Sequence, residues 1–305
     1  IDLVEEVIRM YGSDRIPEAS VRATVTLRED DPVPVYQRRV TELLAGKAFQ
    51  GAVHYSLRSE KELKLWTGEG AHNDLALENP LASDASHLRT SIIPGLLDCL
   101  KLNHARHNEA VRLFECGRVF RAYGDNIFEL FSVGFVIAQE GRSSWKSGEL
   151  PDYYTASRIV TDLLEQAGVL LNNWHIQPIE GEHPWQPGHS GRCGDFASGY
   201  EAKFGLLNVR LTRDWDIETP VIAGTVYFLP EFLQKPASRP TYRPLSLQPP
   251  AIRDLAVVVA EAVPAGRVEA ALSAAADKHA DADVKAKSVQ VFDVYTGKGL
   301  PEGHK

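Results

Sequence analysis

A chain of 305 residues with 44% hydrophobic and 24% charged residues has a globular composition and exceeds one ordinary domain, so two or more packing units are expected. Its net charge of −8 excludes a polyanion binder held by bulk electrostatics, and three distant cysteines, Cys99, Cys116 and Cys193, support neither a disulfide framework nor a zinc site of close paired ligands. No run of about 18 apolar residues occurs, and Ile1 to Met10 mixes acids with apolars instead of showing a basic flank and an apolar signal core, which reads as a cytoplasmic chain.

Ile1, Val4, Val7, Ile8 and Tyr11 follow helical spacing with no cap residue or start methionine before them, so the chain is expected to begin inside an element of a longer protein. Gly12 and Pro17 stop this helix. Glu29 to Pro34 reads as a linker, after which Val40, Leu43, Leu44 and Phe49 recur near helical spacing. Ala52 to Leu57 is expected as a strand, Pro94 to Leu102 as a buried helix, and Val111 to Arg121 with Phe131 to Ala138 as a strand pair. A helix over Tyr154 to Gln166 precedes short strands near Trp174, Gly194 and Lys203 and over Ile222 to Phe228. Helices interrupting mostly hairpin-connected strands predict an α+β fold, not a doubly wound parallel sheet.

Gln234 to Pro250 holds Pro236, Pro240, Pro244, Pro249 and Pro250, which exclude a regular helix or a central strand. Beyond this second linker come a strand at Leu255 to Val259, a helix at Val268 to Ala276 opening after Pro264, and a strand at Ser288 to Tyr295, the first half of a βαββαβ unit. The same end is the less acidic one: Ala237 to Lys305 carries nine Lys and Arg against eight Asp and Glu, leaving −9 for the rest. Any RNA contact is to be sought at this end.

Catalytic patterns are sparse. Gly141 to Ser147 has Trp145 where a phosphate-binding loop needs glycine, and the nearest histidine pairs, His104 with His107 and His183 with His189, lack the helical spacing of a zinc site. No nucleophile elbow is present. Asp2, Glu5 and Glu6 lie at i, i+3 and i+4, which sets three carboxylates on one helix face. They suit either the positive end of a helix dipole or a magnesium ion, and spacing leaves both open.

Read as text, DLVEEVIRMYGSDRIP (2 to 17), ENPLASDASHLRTSIIPGLL (78 to 97), RLFECGRVF (112 to 120), RDLAVVV (253 to 259) and FDVYTGKGLPEGHK (292 to 305) resemble, in order, the C-terminal part of the bacterial phenylalanyl-tRNA synthetase β-subunit family. A weaker segment, HPWQPGHSGRCG (183 to 194), stands where that family has a proline-glycine turn. The resemblance implies residues 1–30 as the tail of a preceding small domain, 31–235 as a class II synthetase catalytic-like domain without catalysis, and 236–305 as part of a ferredoxin-fold anticodon-binding domain. It implies a heterotetramer of two α and two β chains, in which α activates phenylalanine with ATP while β supplies structure, editing and tRNA contacts, the editing domains lying upstream of Ile1.

The resemblance also assigns Asp2, Glu5 and Glu6 to a magnesium site shared with the α chain. It makes the terminal domain the anticodon-reading part, with Arg253, Lys298 and Lys305 as candidate cations and Phe292 and Tyr295 as candidate stacking residues for tRNA-Phe. Arg118 to Arg121 looks like the entry to the motif that grips ATP in active relatives, but Ala122 and Tyr123 follow where an acid belongs, and Gly205 to Arg210 lacks the second glycine of the late arginine motif. No catalytic residue is therefore expected here. A free-standing synthetase-like RNA-binding or regulatory protein, and a class II ligase acting alone, are the alternative readings.

Overall fold

The computed structural model describes residues 1–20, 22–26, 30–68, 75–108, 110–124, 126–139, 151–169, 176–181, 183–234, 242, 249–280 and 286–305. The chain forms two compact units, Ile1–Asp31 and Pro32–Lys305. In the first, helix α1 (Asp2–Tyr11) ends where Gly12 adopts φ 98° and its N–H returns to the Ile8 carbonyl. Glycine is the residue that enters this left-handed region without a Cβ clash, so the expected stop is observed.

The second unit is built on a seven-stranded sheet of order β1-β4-β5-β9-β8-β7-β6. Its strands are β1 (Gln50–Gly51), β4 (Ala110–Tyr123), β5 (Asn126–Gln139), β6 (Gln177–Pro178), β7 (Trp185–Asp195), β8 (Tyr200–Leu207) and β9 (Val221–Phe228), while β2 (Leu57–Arg58) and β3 (His87–Leu88) pair separately. Every pairing in the large sheet is antiparallel except β1 with β4. The α+β expectation therefore holds, and the sheet is covered on both faces.

On one face, α2 (Pro32–Gly46), α5 (Tyr153–Gln166) and α7 (Pro230–Gln234) bring Tyr36, Val40, Leu44, Ile159, Leu163 and Leu233 onto Phe114, Phe135, Phe204 and Phe228. On the other, α3 (Glu60–Thr67), α4 (Ile93–His104) and α6 (Val209–Asp214) set Trp66, Ile92, Leu96, Leu97, Leu100 and Leu211 against Leu113, Val119, Leu130, Val136 and Ala223. Burial from both sides explains why Phe131 to Ala138 and Val221 to Phe228 read as continuous apolar runs instead of alternating ones. Gly224 is demanded by packing: a Cβ there would run into the Phe135 ring.

Several sequence expectations need correction. The strand expected over Ala52 to Leu57 is cut into β1 and β2. Ala52 N–H makes the last bond to Phe114, and beyond it the β4 edge is taken by the segment at Arg89, whose carbonyl receives Phe120 N–H at 2.9 Å. Helix α3 stands where no element was expected, although Ser59 and Glu62 form a complete capping box. The strands expected at Leu255 to Val259 and Ser288 to Tyr295 do not form. That region keeps α8 (Ala265–His279), longer than expected, and one bridge, Ala260 with His304, beside two Val259–Lys305 hydrogen bonds of 3.1 and 3.0 Å. Leu255, Val257, Val258 and Phe292 are exposed, so no apolar face is covered to hold a ladder together. The strand near Trp174, the Gly141 to Ser147 loop and most of the second linker lie outside the described residues.

Candidate functional site

The polar centre of the second unit lies on the β4 face that α4 covers. Glu115, buried, accepts Arg89 Nη1 on one carboxylate oxygen and His54 Nδ1–H on the other, both at 2.6 Å. Arg89 Nε donates to the Arg118 carbonyl at 2.9 Å. Two glycines make room: a Cβ on Gly95 would lie 2.8 Å from the His54 ring, and one on Gly117 would lie 2.5 Å from Arg89 Nη2. Sequence reasoning singled out none of Arg89, Glu115 and His54. The usable signal was an acid inside an apolar strand, which burial permits only when it is paired.

Both carboxylate oxygens of Glu115 are engaged, so this acid is held by its two partners. The two arginines that the sequence placed in a motif behave differently. Arg118 pairs with Glu129 of the neighbouring strand. Arg121 lays its guanidinium 5.0 Å from the centre of the Tyr227 ring, and its Nε has no hydrogen-bond partner among the described residues. Downstream, Gly205 sits inside β8, and Asn208 caps α6 by accepting the Arg210 N–H at 2.9 Å, which leaves the Arg210 side chain exposed. The described residues therefore assemble no pair of arginines around a common point.

Asp2, Glu5 and Glu6 lie on α1, all exposed, and Glu6 is held by Arg9 at 2.7 Å. Among the described residues no group of three or more His, Cys, Asp or Glu side chains is arranged to hold a metal ion. As placed, the three acids do not by themselves enclose a cation, and magnesium demands near-octahedral oxygen ligands. Of the histidines, His183 donates Nε2–H to the Leu65 carbonyl at 2.5 Å and serves packing. Cys116 and Cys193 are pushed up to about 12 by burial, so their thiols are protonated and unreactive.

At the C-terminal end, Phe292 is 79% and Tyr295 60% exposed, and Tyr295 donates its hydroxyl to the Lys298 carbonyl at 3.2 Å. The side chains of Arg253 and Lys298 are also exposed. Arg253 Nη1 turns back to the Ile252 carbonyl at 2.8 Å, and Lys305 is tied down by its backbone to Val259. Phe292, Tyr295 and Lys298 thus face water on one stretch of chain, and Arg253 on another, side chains of the kinds that stack bases and meet phosphates. No helix among the described residues is long and apolar enough to cross a membrane.

Two family models match. The phenylalanyl tRNA synthetase beta chain CLM domain covers residues 16–228, and the ferredoxin-fold anticodon binding domain covers 246–305. The whole chain aligns with phenylalanine–tRNA ligase beta subunits from Coxiella burnetii at 30% identity, Novosphingobium aromaticivorans at 32% and Bacillus subtilis at 30%. It spans 37%, 38% and 37% of their respective lengths. Among solved structures, a pyrrolysyl tRNA synthetase from Desulfitobacterium hafniense superposes with a TM-score of 0.48 at 14% identity, covering 64% of this chain and 66% of the other.

Proposed function

We propose, from the premise that this chain belongs to the phenylalanyl-tRNA synthetase β-chain family, that it is a non-catalytic part of phenylalanine–tRNA ligase. The observation that carries this reading is the order of the two matched modules: a synthetase β-chain module, then an anticodon-binding one. The proposed division is 1–30 for the tail of a small domain, 31–235 for the catalytic-like domain and 236–305 for the anticodon-binding domain. The chain works in the cytoplasm, holding a catalytic α chain in an α2β2 assembly and touching the anticodon region of tRNA-Phe.

The state of the central cluster supports the absence of chemistry. Stabilising charge on a reacting phosphate needs preorganised cations left free to meet it. Here Arg89 is paired with the buried Glu115, Arg118 points to the exposed Glu129, and Arg121 lies over Tyr227. Activation of phenylalanine with ATP then belongs to the partner. The edge of the sheet supports assembly: beyond β1, Val53 and Tyr55 are 92% and 89% exposed, a large apolar contribution open to a partner.

Magnesium is proposed only as a shared ion, with Asp2, Glu5 and Glu6 giving some of its oxygens and the α chain the remainder; the ion would supply fixed positive charge at that junction. Replacing Glu5 and Glu6 by glutamine should lower the magnesium retained by the purified complex, and unchanged content would return these acids to a surface role.

The test of the main reading is pyrophosphate exchange into ATP with phenylalanine. This chain alone should give none, and the complex of the full-length β protein with its co-purifying partner should give a robust signal. Exchange by the isolated chain would establish a ligase acting alone. Recovery of the full-length protein without any partner would favour the free-standing RNA-binding reading.

A further inference from the structure

Arg89 and Glu115 form an ion pair in an interior where well-packed apolar residues of similar volume are often as stable or more so, so the pair calls for a role besides stability. The third member of the cluster supplies one. His54, whose side chain is 18% exposed, donates Nδ1–H to Glu115 at 2.6 Å, and its ring packs on Gly95 of α4. It is the middle residue of a segment that is otherwise held only at its ends. Ala52 N–H bonds the Phe114 carbonyl and Arg89 N–H bonds the Ser56 carbonyl, both at 2.8 Å, and between these points Val53, His54 and Tyr55 make no backbone hydrogen bond among the described residues. Exposure alternates residue by residue from Gly51 to Ser56, as in an extended chain whose successive side chains point to opposite sides. Fixing His54 inward therefore fixes Val53 and Tyr55 outward, where they are 92% and 89% exposed.

We propose that His54 is a positioning residue: the Arg89–Glu115 pair holds its ring, and the ring presents Val53 and Tyr55 as the apolar prongs that meet the catalytic partner chain. This rests on the assembly proposed above and assigns the contact within it. The chemistry of the segment selects a protein surface. Gly51 to Ser56 carries no Lys, Arg, Asp or Glu, and its histidine is turned in, so nothing here meets a phosphate. A tyrosine beside an aliphatic residue suits the centre of a protein interface. The place in the fold selects the edge: β1, which the segment extends, is the outermost strand of the large sheet, so a chain laid along it meets both prongs without displacing a strand. The occupant is the chain that supplies the chemistry this one lacks. A hydrogen bond is directional and apolar contact is not, so a polar anchor specifies one rotation of the segment where an apolar one leaves several.

The experiment uses the complex of the full-length β protein with its co-purifying partner, whose dissociation is followed on dilution, and the urea midpoint of each β variant is measured beside it. Tyr55→Ser removes a prong and should weaken the complex at least about tenfold. His54→Leu removes the donor and should weaken it about as much. His54→Asn has the same shape as His54→Leu but places an N–H donor where the ring carries Nδ1, and should stay within about threefold of the native affinity. Arg89→Met with Glu115→Leu removes the acceptor instead, and should match His54→Leu in affinity while keeping most of the native urea midpoint. Native affinity in His54→Leu or in the double variant, or an equal loss in His54→Leu and His54→Asn, overturns the positioning role even where Tyr55→Ser weakens the complex. Losses that follow the urea midpoints from variant to variant make the cluster structural only and overturn it as well. Native affinity in Tyr55→Ser overturns the proposal at the surface itself and leaves the assembly standing. Tyr55→Ser that abolishes association of two β chains while the partner stays bound reassigns the prongs and overturns it equally. If no partner co-purifies, the assembly reading falls first and this contact with it.

Discussion

Arg89 and Glu115 form a 2.6 Å ion pair with side chains only 5% and 2% exposed, on the sheet face that α4 covers. Removing one partner of such a pair strands the other in a low-dielectric interior. Arg89→Met should therefore destabilise the second unit by about 3–5 kcal/mol, whereas Arg89→Met with Glu115→Leu should recover most of that loss. Urea unfolding of the two singles and the double closes the cycle. Additive losses would mean that the pair is not coupled.

Helix α5 starts on Asp152, whose carboxylate accepts Thr155 N–H at 2.9 Å. Backbone and side-chain hydrogen bonds from Thr155 hold its pKa below the usual carboxylate value. A depressed folded-state pKa contributes stability that is fully present above the unfolded value and is lost as pH falls through the folded one. Asp152→Ala should cost about 1 kcal/mol at neutral pH and progressively less below about pH 4. A penalty independent of pH would remove the charge from this account.

Thiol reactivity should rank by burial. At pH 8 a thiol pushed up to about 12, as Cys116 and Cys193 are, holds a thiolate fraction on the order of 10⁻⁴. Cys99, raised less and only partly buried, should be alkylated first in the native chain. Mass mapping after brief iodoacetamide treatment reads the order, and early modification of Cys193 would contradict it.

For RNA, the assay is tRNA-Phe affinity of the complete complex across a salt series. Arg253→Gln and Lys298→Gln should each weaken binding and flatten the salt slope by about one unit or less for every phosphate that the native side chain neutralises. Phe292→Ala should weaken binding by about 1–3 kcal/mol with the slope unchanged, since stacking releases no counterion. If all three leave both quantities untouched, this surface does not meet the RNA.

The sheet was legible where burial imposes a period. The β4–β5 pair, β9 and the helices at α4 and α5 all carry apolar runs or stripes that only one local structure can bury. Illegible parts depended on partners. Ala52 to Leu57 has strand composition, yet its neighbour on β4 is displaced by the distant Arg89 segment. Leu255 to Val259 has it too, yet nothing among the described residues covers it. The capping box at Ser59 and Glu62 was readable and marks a short helix that periodicity alone cannot resolve. The Glu115 cluster is tertiary: His54 and Arg89 reach it from segments 61 and 26 residues away.

The order of strands also dictates a timetable for synthesis. β5 must wait for β9, because its inner neighbour in the sheet begins at Val221, opposite Ala138. At 5–20 residues per second, the β4–β5 hairpin leaves the ribosome on the order of ten seconds before the strand that seals it. During that interval the apolar run of β5, Phe131 to Ala138, has an open side, so nascent chains paused between these two strands are the ones that holdase chaperones should capture.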